Sequence, residues 1–513
     1  MKRNLELEAA IIAAPDDPDP RMVYGDWLQA EGDPRGEWAA LRTRLEATPT
    51  DHTIRVAAID FITDRRKQLF GAGAPALVHA YLGWKGGFVD ELRLQPWEAG
   101  QDDSALPALF EHPTMRFVRH IALGALAPNV DAALDAIIDA ELPLLEELVV
   151  HDALDVTTRK LDAIAELPLT KLSLSHAYVT KPMPTLRELV VVVDDATPHT
   201  FEWLTRGGAP ALEWLQLWHR TTGHPSLQGV RASLPKLVVE IVHAPAFDPA
   251  SITARSPLID RAKLGRERLR QIPGAGRIVS DLAWEYIDPG KDQKLALALL
   301  DVAATLPFGR NTWYHGRAAL AQERAGLLDE AELRAREALV WSPDPWYWSI
   351  VIDTQRRQKR FADAYASFPK AFHAMENPPK HGLYEGPKAC LLDCMLAYVQ
   401  DKRPDDALAL FDRFPDLVDG RNHALASIIH MHRGDREKAE EAFAKVADGE
   451  GDNRIRTHAR AVMAAYTGDE EGARTAIQEC KDMVYNDMAW LRTDPKLRPY
   501  LRKKRKRKPK AEP

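Results

Sequence analysis

The strongest constraint on this chain is a small residue that recurs at one place in successive segments of its C-terminal half. Ala296, Ala331, Ala364, Ala407, Ala439 and Ala473 are separated by about 35, 33, 43, 32 and 34 residues. Four residues after the marker a bulky apolar side chain follows in most copies: Leu300, Phe368, Phe411, Phe443 and Ile477. Five residues before it stands a turn residue, most clearly Gly326, Gly434 and Gly468. Two antiparallel helices approach closely only where small side chains sit at the crossing. Glycine ends the first helix, and a proline such as Pro343 stops the second. Repetition of this pattern predicts a stack of helix pairs, each burying its apolar face against its neighbours. The long third interval requires an insertion, placed at Glu376–Lys388. About six pairs then fill residues 276–481. An irregular all-helical domain is the competing reading.

These residues resemble the tetratricopeptide family. In the segment 311–345, Ala319, Gly326, Ala331, Ala338 and Pro343 stand where that family places its small residues, turn glycine and closing proline. The run Arg433–Phe443 is similar. The resemblance covers about two fifths of the chain. It implies a superhelix whose inner groove receives a peptide or an extended segment of another protein.

Between residues 85 and 250 the period shortens. Apolar triplets recur at Val89/Leu92/Leu94, Val118/Ile121/Leu123, Leu145/Leu148/Val150, Leu169/Leu172/Leu174, Leu186/Leu189/Val191 and Leu212/Leu215/Leu217. Leu234–Val242 is a weaker seventh copy. Alternation at period two buries one face of each strand, and parallel stacking joins those faces into a core. The pattern resembles leucine-rich repeats without their asparagine ladder, whose place holds Ala153, Ala177, Asp194 and Arg220. An ordinary α/β domain is the alternative. The resemblance implies a concave face lined by the residues between the leucines. Candidate partner-binding residues there are Glu147, Lys171, Arg187, Glu188, Trp214 and Gln216, with Trp214 as the natural anchor. The competing reading is a merely solvated sheet face.

The first 84 residues read as a helical cap. Asp19–Pro20 and Asp33–Pro34 look like N-caps followed by proline. Met22, Val23, Trp27 and Leu28 suggest one apolar stripe, and Trp38, Leu41 and Leu45 the next. Arg35 is expected to pair with Asp26 or Glu31. The run from Arg21 to Glu37, with Val23, Tyr24, Gly25, Asp26, Trp27, Leu28, Gly32, Asp33, Pro34, Arg35 and Gly36, resembles the N-terminal repeat-companion domain of large bacterial protein families. Those families place it ahead of leucine-rich or similar repeats, and the resemblance implies no catalysis.

Catalytic signatures are missing. The sequence holds no phosphate-binding loop, nucleophile elbow or zinc-protease motif. Cys390, Cys394 and Cys480 are too few for a disulfide framework and read as core residues in a reducing, cytoplasmic setting. No metal, cofactor or catalytic residue is expected. No apolar run reaches the length of a membrane span. Net charge is −7, yet residues 502–513 hold eight basic side chains against Glu512, so the rest of the chain is mildly acidic. The basic tail, Arg502, Lys503, Lys504, Arg505, Lys506, Arg507 and Lys508, is expected to be disordered and offers a site for an anionic partner. The aromatic run Trp341–Trp348 is assigned to core packing, with a groove lining as the alternative.

The expected fold is an α/β leucine-rich-like solenoid followed by an all-α tetratricopeptide-type superhelix. Its parts are a cap at 1–84, an arc at 85–250, a linker at 251–275, helix repeats at 276–481, a closing helix at 482–501 and a tail at 502–513. The expected function is a non-enzymatic scaffold for protein or peptide partners.

Overall fold

A computed structural model of the chain describes residues 2–77, 80–94, 104–124, 130–150, 158–175, 179–193, 201–219, 227–243, 275–287, 292–304, 312–378, 386–446, 453–482 and 496–501. The expected linker at 251–274 and the basic tail Arg502–Lys508 lie outside the described residues. The chain divides into two compact units. One comprises Met1–Ile287, Lys294–Ala321 and Arg336–Ser342, the other Asp288–Gln293, Gln322–Ala335 and Pro343–Pro513.

The first unit opens with helices α1 (Leu5–Ala13), α2 (Pro18–Ala30), α3 (Pro34–Ala47) and α4 (His52–Phe70). Asn4, Asp17, Asp33 and Asp51 each accept a hydrogen bond from a backbone N–H of the first turn that follows. The cap of α2 is therefore Asp17, not the expected Asp19. Pro20 still falls in the first turn, where a missing N–H costs nothing. Helices α2 and α3 meet at glycine. A Cβ on Gly36 would lie 2.2 Å from the Gln29 amide nitrogen, and one on Gly25 would lie 3.0 Å from the Ala39 Cβ. This close approach turns Arg21, Tyr24, Gly25 and Leu28 inward. Met22 and Val23, expected in the apolar stripe, are exposed instead. Tyr24 packs with Ile11, Leu28, Phe88 and Phe117, and its hydroxyl donates to Glu8 at 3.0 Å. Arg35 pairs with buried Asp33 at 2.9 Å rather than with Asp26 or Glu31. The capping carboxylate is nearer and takes the guanidinium with both oxygens, Nε donating to Oδ1 and a terminal nitrogen to Oδ2.

Eight strands follow in one sheet, in chain order: β1 (Tyr81–Lys85), β2 (Phe88–Leu94), β3 (His120–Leu123), β4 (Glu147–Val150), β5 (Lys171–Ser175), β6 (Glu188–Val193), β7 (Trp214–His219) and β8 (Val238–His243). β1 and β2 form an antiparallel hairpin, so residue 84 lies within a strand. From β2 onward every pairing is parallel. Short helices sit between strands: α5 (Ala105–Phe110), α6 (Val130–Asp139), α7 (Thr158–Ile164), α8 (Glu202–Thr205) and α9 (Gln228–Ser233). Two ladders of aligned side chains build the core. Leu92, Ile121, Leu148, Leu172, Leu189 and Leu215 form one, and Leu94, Leu123, Val150, Leu174, Val191 and Leu217 the other. Each of these pairs of rungs sits two residues apart, the strand period. Val238 on the last strand is 60% exposed, since no further described strand covers it.

The first unit also takes in α10 (Ala275–Ile287), α11 (Gln293–Ala304), most of α12 (Thr312–Arg324) and the end of α13 (Leu328–Trp341). Val279, Leu282, Leu299, Leu300, Tyr314 and Ala318 share one core there. Arg66 on α4 donates to the Val340 and Trp341 carbonyls at 3.2 Å and to the Ala74 carbonyl at 2.7 Å. It thus caps the C-terminus of α13, where orphan carbonyls gather. Burial brings its pKa down to about 10.

The second unit continues the helix pairs with α14 (Pro345–Arg357), α15 (Phe361–Glu376), α16 (Gly386–Gln400), α17 (Pro404–Arg413), α18 (Gly420–Arg433), α19 (Arg436–Ala444), α20 (Asn453–Thr467) and α21 (Glu470–Asp482), then α22 (Arg498–Leu501). Five turns in this unit are built alike. Gly326, Lys359, Lys402, Gly434 and Gly468 all have φ between 62° and 82°. The next N–H reaches back five residues: Leu327 to Gln322, Arg360 to Gln355, Arg403 to Tyr398, Asp435 to His430 and Asp469 to Ala464, at 2.8–3.0 Å. That is the Schellman ending of an α-helix. The six marker alanines are all fully buried, which is why only a small residue fits at each crossing. The long interval falls where α15 ends at Glu376 and α16 begins at Gly386. In the aromatic run Trp341, Tyr347 and Trp348 are buried, and Trp346 is half-buried. Cys390, Cys394 and Cys480 are buried free thiols.

Candidate functional site

Side chains between the leucine ladders emerge on the other face of the sheet. The parallel register aligns Glu91, His120, Glu147, Lys171, Glu188, Trp214 and Val238 in one row across β2–β8. A second row holds Arg93, Ala122, Val149, Ser173, Val190, Gln216 and Glu240. A third row precedes the strands. Glu146 and Glu147 both donate N–H to the Arg119 carbonyl, Thr170 and Lys171 to Glu146, Arg187 and Glu188 to Thr170, and Glu213 and Trp214 to Arg187, all at 2.9–3.0 Å. Arg119, Glu146, Thr170, Arg187 and Glu213 are therefore equivalent positions on successive coils.

Charges along these rows alternate and pair laterally. Arg119 meets Glu146 at 2.7 Å, His120 meets Glu147 at 2.9 Å, Lys171 meets Glu188 at 3.0 Å, and Arg187 meets Glu213 at 3.2 Å. Arg93 and Glu91 pair at 2.5 Å within β2. Cross-strand pairs of this kind each contribute roughly 0.2–1 kcal/mol, and the most exposed of them least. The hydrogen bond to Glu147 raises the His120 pKa above its ordinary value, against the effect of burial. Burial pushes the Glu147 carboxyl up, but His120, Lys171 and Arg93 more than offset this and hold it below its ordinary value. Arg119 also bonds Asp16 at 2.7 Å, and the Asp16 carboxyl is lowered by its bonds from Lys85 and Arg119.

The face brings the expected residues together with one correction. Glu147, Lys171, Glu188 and Trp214 share the first row, and Arg187 stands beside them. Gln216 is only 2% exposed, contrary to its expected place on an open surface, and its amide donates to Glu240 at 3.0 Å. Its neighbours in the row are Val190 and Glu240. Glu91, Arg93, Arg119, His120 and Glu240 belong to the same surface and were not singled out by sequence. The triplets Val89/Leu92/Leu94 and Val118/Ile121/Leu123 already imply the intervening positions Glu91, Arg93 and His120.

Other features carry less chemistry. A cavity of about 210 Å³ lined by Arg3, His112, Arg116 and Glu141 is smaller than the roughly 300 Å³ at which small-molecule pockets begin. Arg3 is spent on Glu8 at 2.6 Å and Arg116 on Glu141 at 3.0 Å. His112 is neutral there, its pKa lowered to about 4 by burial. Among the described residues no group of three or more His, Cys, Asp or Glu converges as a metal site would. No described helix is long and apolar enough to cross a membrane.

No protein-family model and no curated protein matches the chain. One solved structure, from a study titled "Functional Characterization of Pseudomonas Aeruginosa pilF", matches at 16% identity and a TM-score of 0.32. The match covers 46% of this chain and 98% of that one. A score this low supports no structural argument.

Proposed function

We propose that this protein is a non-enzymatic scaffold that binds protein or peptide partners. Its strand-containing half would act as an irregular leucine-rich arc, and its helix pairs as a tetratricopeptide-type array. The N-terminal helices would be a repeat-companion cap, in a cytoplasmic setting. The observation that carries this reading is the outward sheet face. Its rows of side chains are held in register by the backbone and locked sideways by ion pairs. A surface fixed in this way costs little entropy to bind, which favours recognition of a partner. Trp214, half-buried beside the exposed Val238, is the anchor. Glu147, Lys171, Arg187 and Glu188 would set specificity through charge. Gln216 would support the face from within.

The test is affinity purification with mass spectrometry on three proteins: the full chain, Trp214→Ala, and a truncation lacking residues 276–513. The reading expects one partner set lost with Trp214 and another lost with the helix array. If the recovered proteins are the same for all three, the reading fails.

A second reading rests on the seven consecutive basic residues Arg502–Lys508, which would hold an anionic partner by charge. Deleting residues 502–513 would then remove a salt-dependent binding to duplex DNA with a log–log slope on the order of −6. Binding that is absent in the full chain, or unchanged by the deletion, rejects that reading.

A further inference from the structure

The second unit contains a partly buried polar network that the scaffold reading does not use. It joins α12, α14 and α16. Arg357 on α14 donates to Glu323 of α12 at 2.7 Å and pairs with Asp353, one turn earlier, at 3.5 Å. Arg356 also bonds Asp353. Asp393 on α16 feels the charges of Asp353 and Arg356, and its hydrogen-bond partner is the neutral Ser349 hydroxyl, which donates at 2.6 Å. The other charged or titratable groups facing the network are Arg324 at the end of α12, Cys394 beside Asp393, and Arg421 at the start of α18. Arg421 bonds Asp419 through two nitrogens.

Among the groups in direct contact, the charges do not balance. Two guanidiniums in direct contact serve Glu323 and Asp353. Asp393 is a third carboxylate with a hydroxyl for a partner and a like charge nearby. A largely desolvated carboxylate in that position is stabilised by holding a proton, because the neutral acid avoids both desolvation and repulsion. We propose that Asp393 is a proton-linked element of the helix array, neutral in the folded protein below neutral pH, whose ionisation weakens the packing of α14 against α16. Burial and then Asp353 push its pKa up to about 7, and burial also raises Glu323. Burial likewise pushes Asp353 up, but Arg356 and Arg357 more than offset it, so Asp353 stays ionised.

The sign follows from linkage. A carboxyl with a raised folded pKa binds its proton more tightly in the native state. Its stabilising effect is present at low pH, is lost as the pH rises from the ordinary carboxyl value of about 3.9, and is fully lost above the folded value. Within that window one proton changes the unfolding constant about tenfold per pH unit.

Denaturant unfolding of the wild type and Asp393→Asn at pH 5 and pH 8 tests this. Asparagine keeps the shape and cannot ionise. The ratio of the wild-type to variant unfolding constants is expected to rise about 100-fold between the two conditions. A ratio that is equal at both pH values overturns the proposal. Carboxyl NMR of aspartate-labelled wild type gives a second readout that needs no variant to fold. One buried aspartate should titrate near neutral pH, with its midpoint shifted upward in Ser349→Ala. If no aspartate titrates between pH 6 and 8, the proposal is wrong.

Discussion

Lys359 and Lys402 occupy backbone conformations that lysine avoids, at φ 62° each. The left-handed region costs a residue with a Cβ about 1–2 kcal/mol, part of which is recovered because glycine makes the unfolded chain more flexible. Lys359→Gly and Lys402→Gly should each stabilise the protein by roughly 0.5–1 kcal/mol in urea unfolding. Gly434→Ala, at φ 82° with open space around it, should destabilise by a similar amount. Equal midpoints for all three would show that these turns relax. The same scale governs His120 and Glu147. His120 has a raised pKa, so its contribution is present below 6.5 and is lost as the pH climbs through the higher folded value. Glu147 has a lowered one, so its contribution is present above 4.5 and is lost as the pH falls through the folded value. The pair is therefore strongest between the two. In Glu147→Gln the His120 ring should titrate at lower pH by NMR, and an unmoved midpoint would remove Glu147 as the cause.

Among elements, the crossing of α2 and α3 leaves no room for a larger residue. A methyl group on Gly36 would meet the backbone of Leu28 and Gln29, which cannot rotate away. Gly36→Ala should cost about 3 kcal/mol or more in thermal or urea unfolding, at the upper end for overpacking. A change within about 0.5 kcal/mol would mean that the helices shift apart freely. Leu172 sits in the middle of the first leucine ladder, so Leu172→Ala should cost about 2–5 kcal/mol. These elements also show what the sequence discloses. Both repeat periods were legible because each depends on one physical demand, a small residue at a helix crossing or an apolar rung every second position. The ladder triplets and the six alanines accordingly fall where their spacing says. Lys359 and Lys402 were harder to read, since the turn needs a left-handed residue and lysine does not announce one. The pairing of Arg35 with Asp33 and the exposure of Met22 and Val23 depend on how Gly25 and Gly36 bring α2 and α3 together, which no local pattern encodes. The burial of Gln216 likewise depends on Glu240, a residue of the next coil.

At the scale of the whole molecule, a strand-containing region is followed by an all-helical one. The scaffold reading stands or falls on the sheet face. Photo-crosslinking in the living source cell tests this most directly. A photoreactive amino acid would be placed singly at Lys171 and Trp214 on the row, and at Asp135 and Asp162 on α6 and α7 as comparators. The account predicts discrete higher-mass adducts from Lys171 and Trp214 and none from the two helix positions. Adducts of equal yield from all four sites, or none from Lys171 and Trp214, would contradict it.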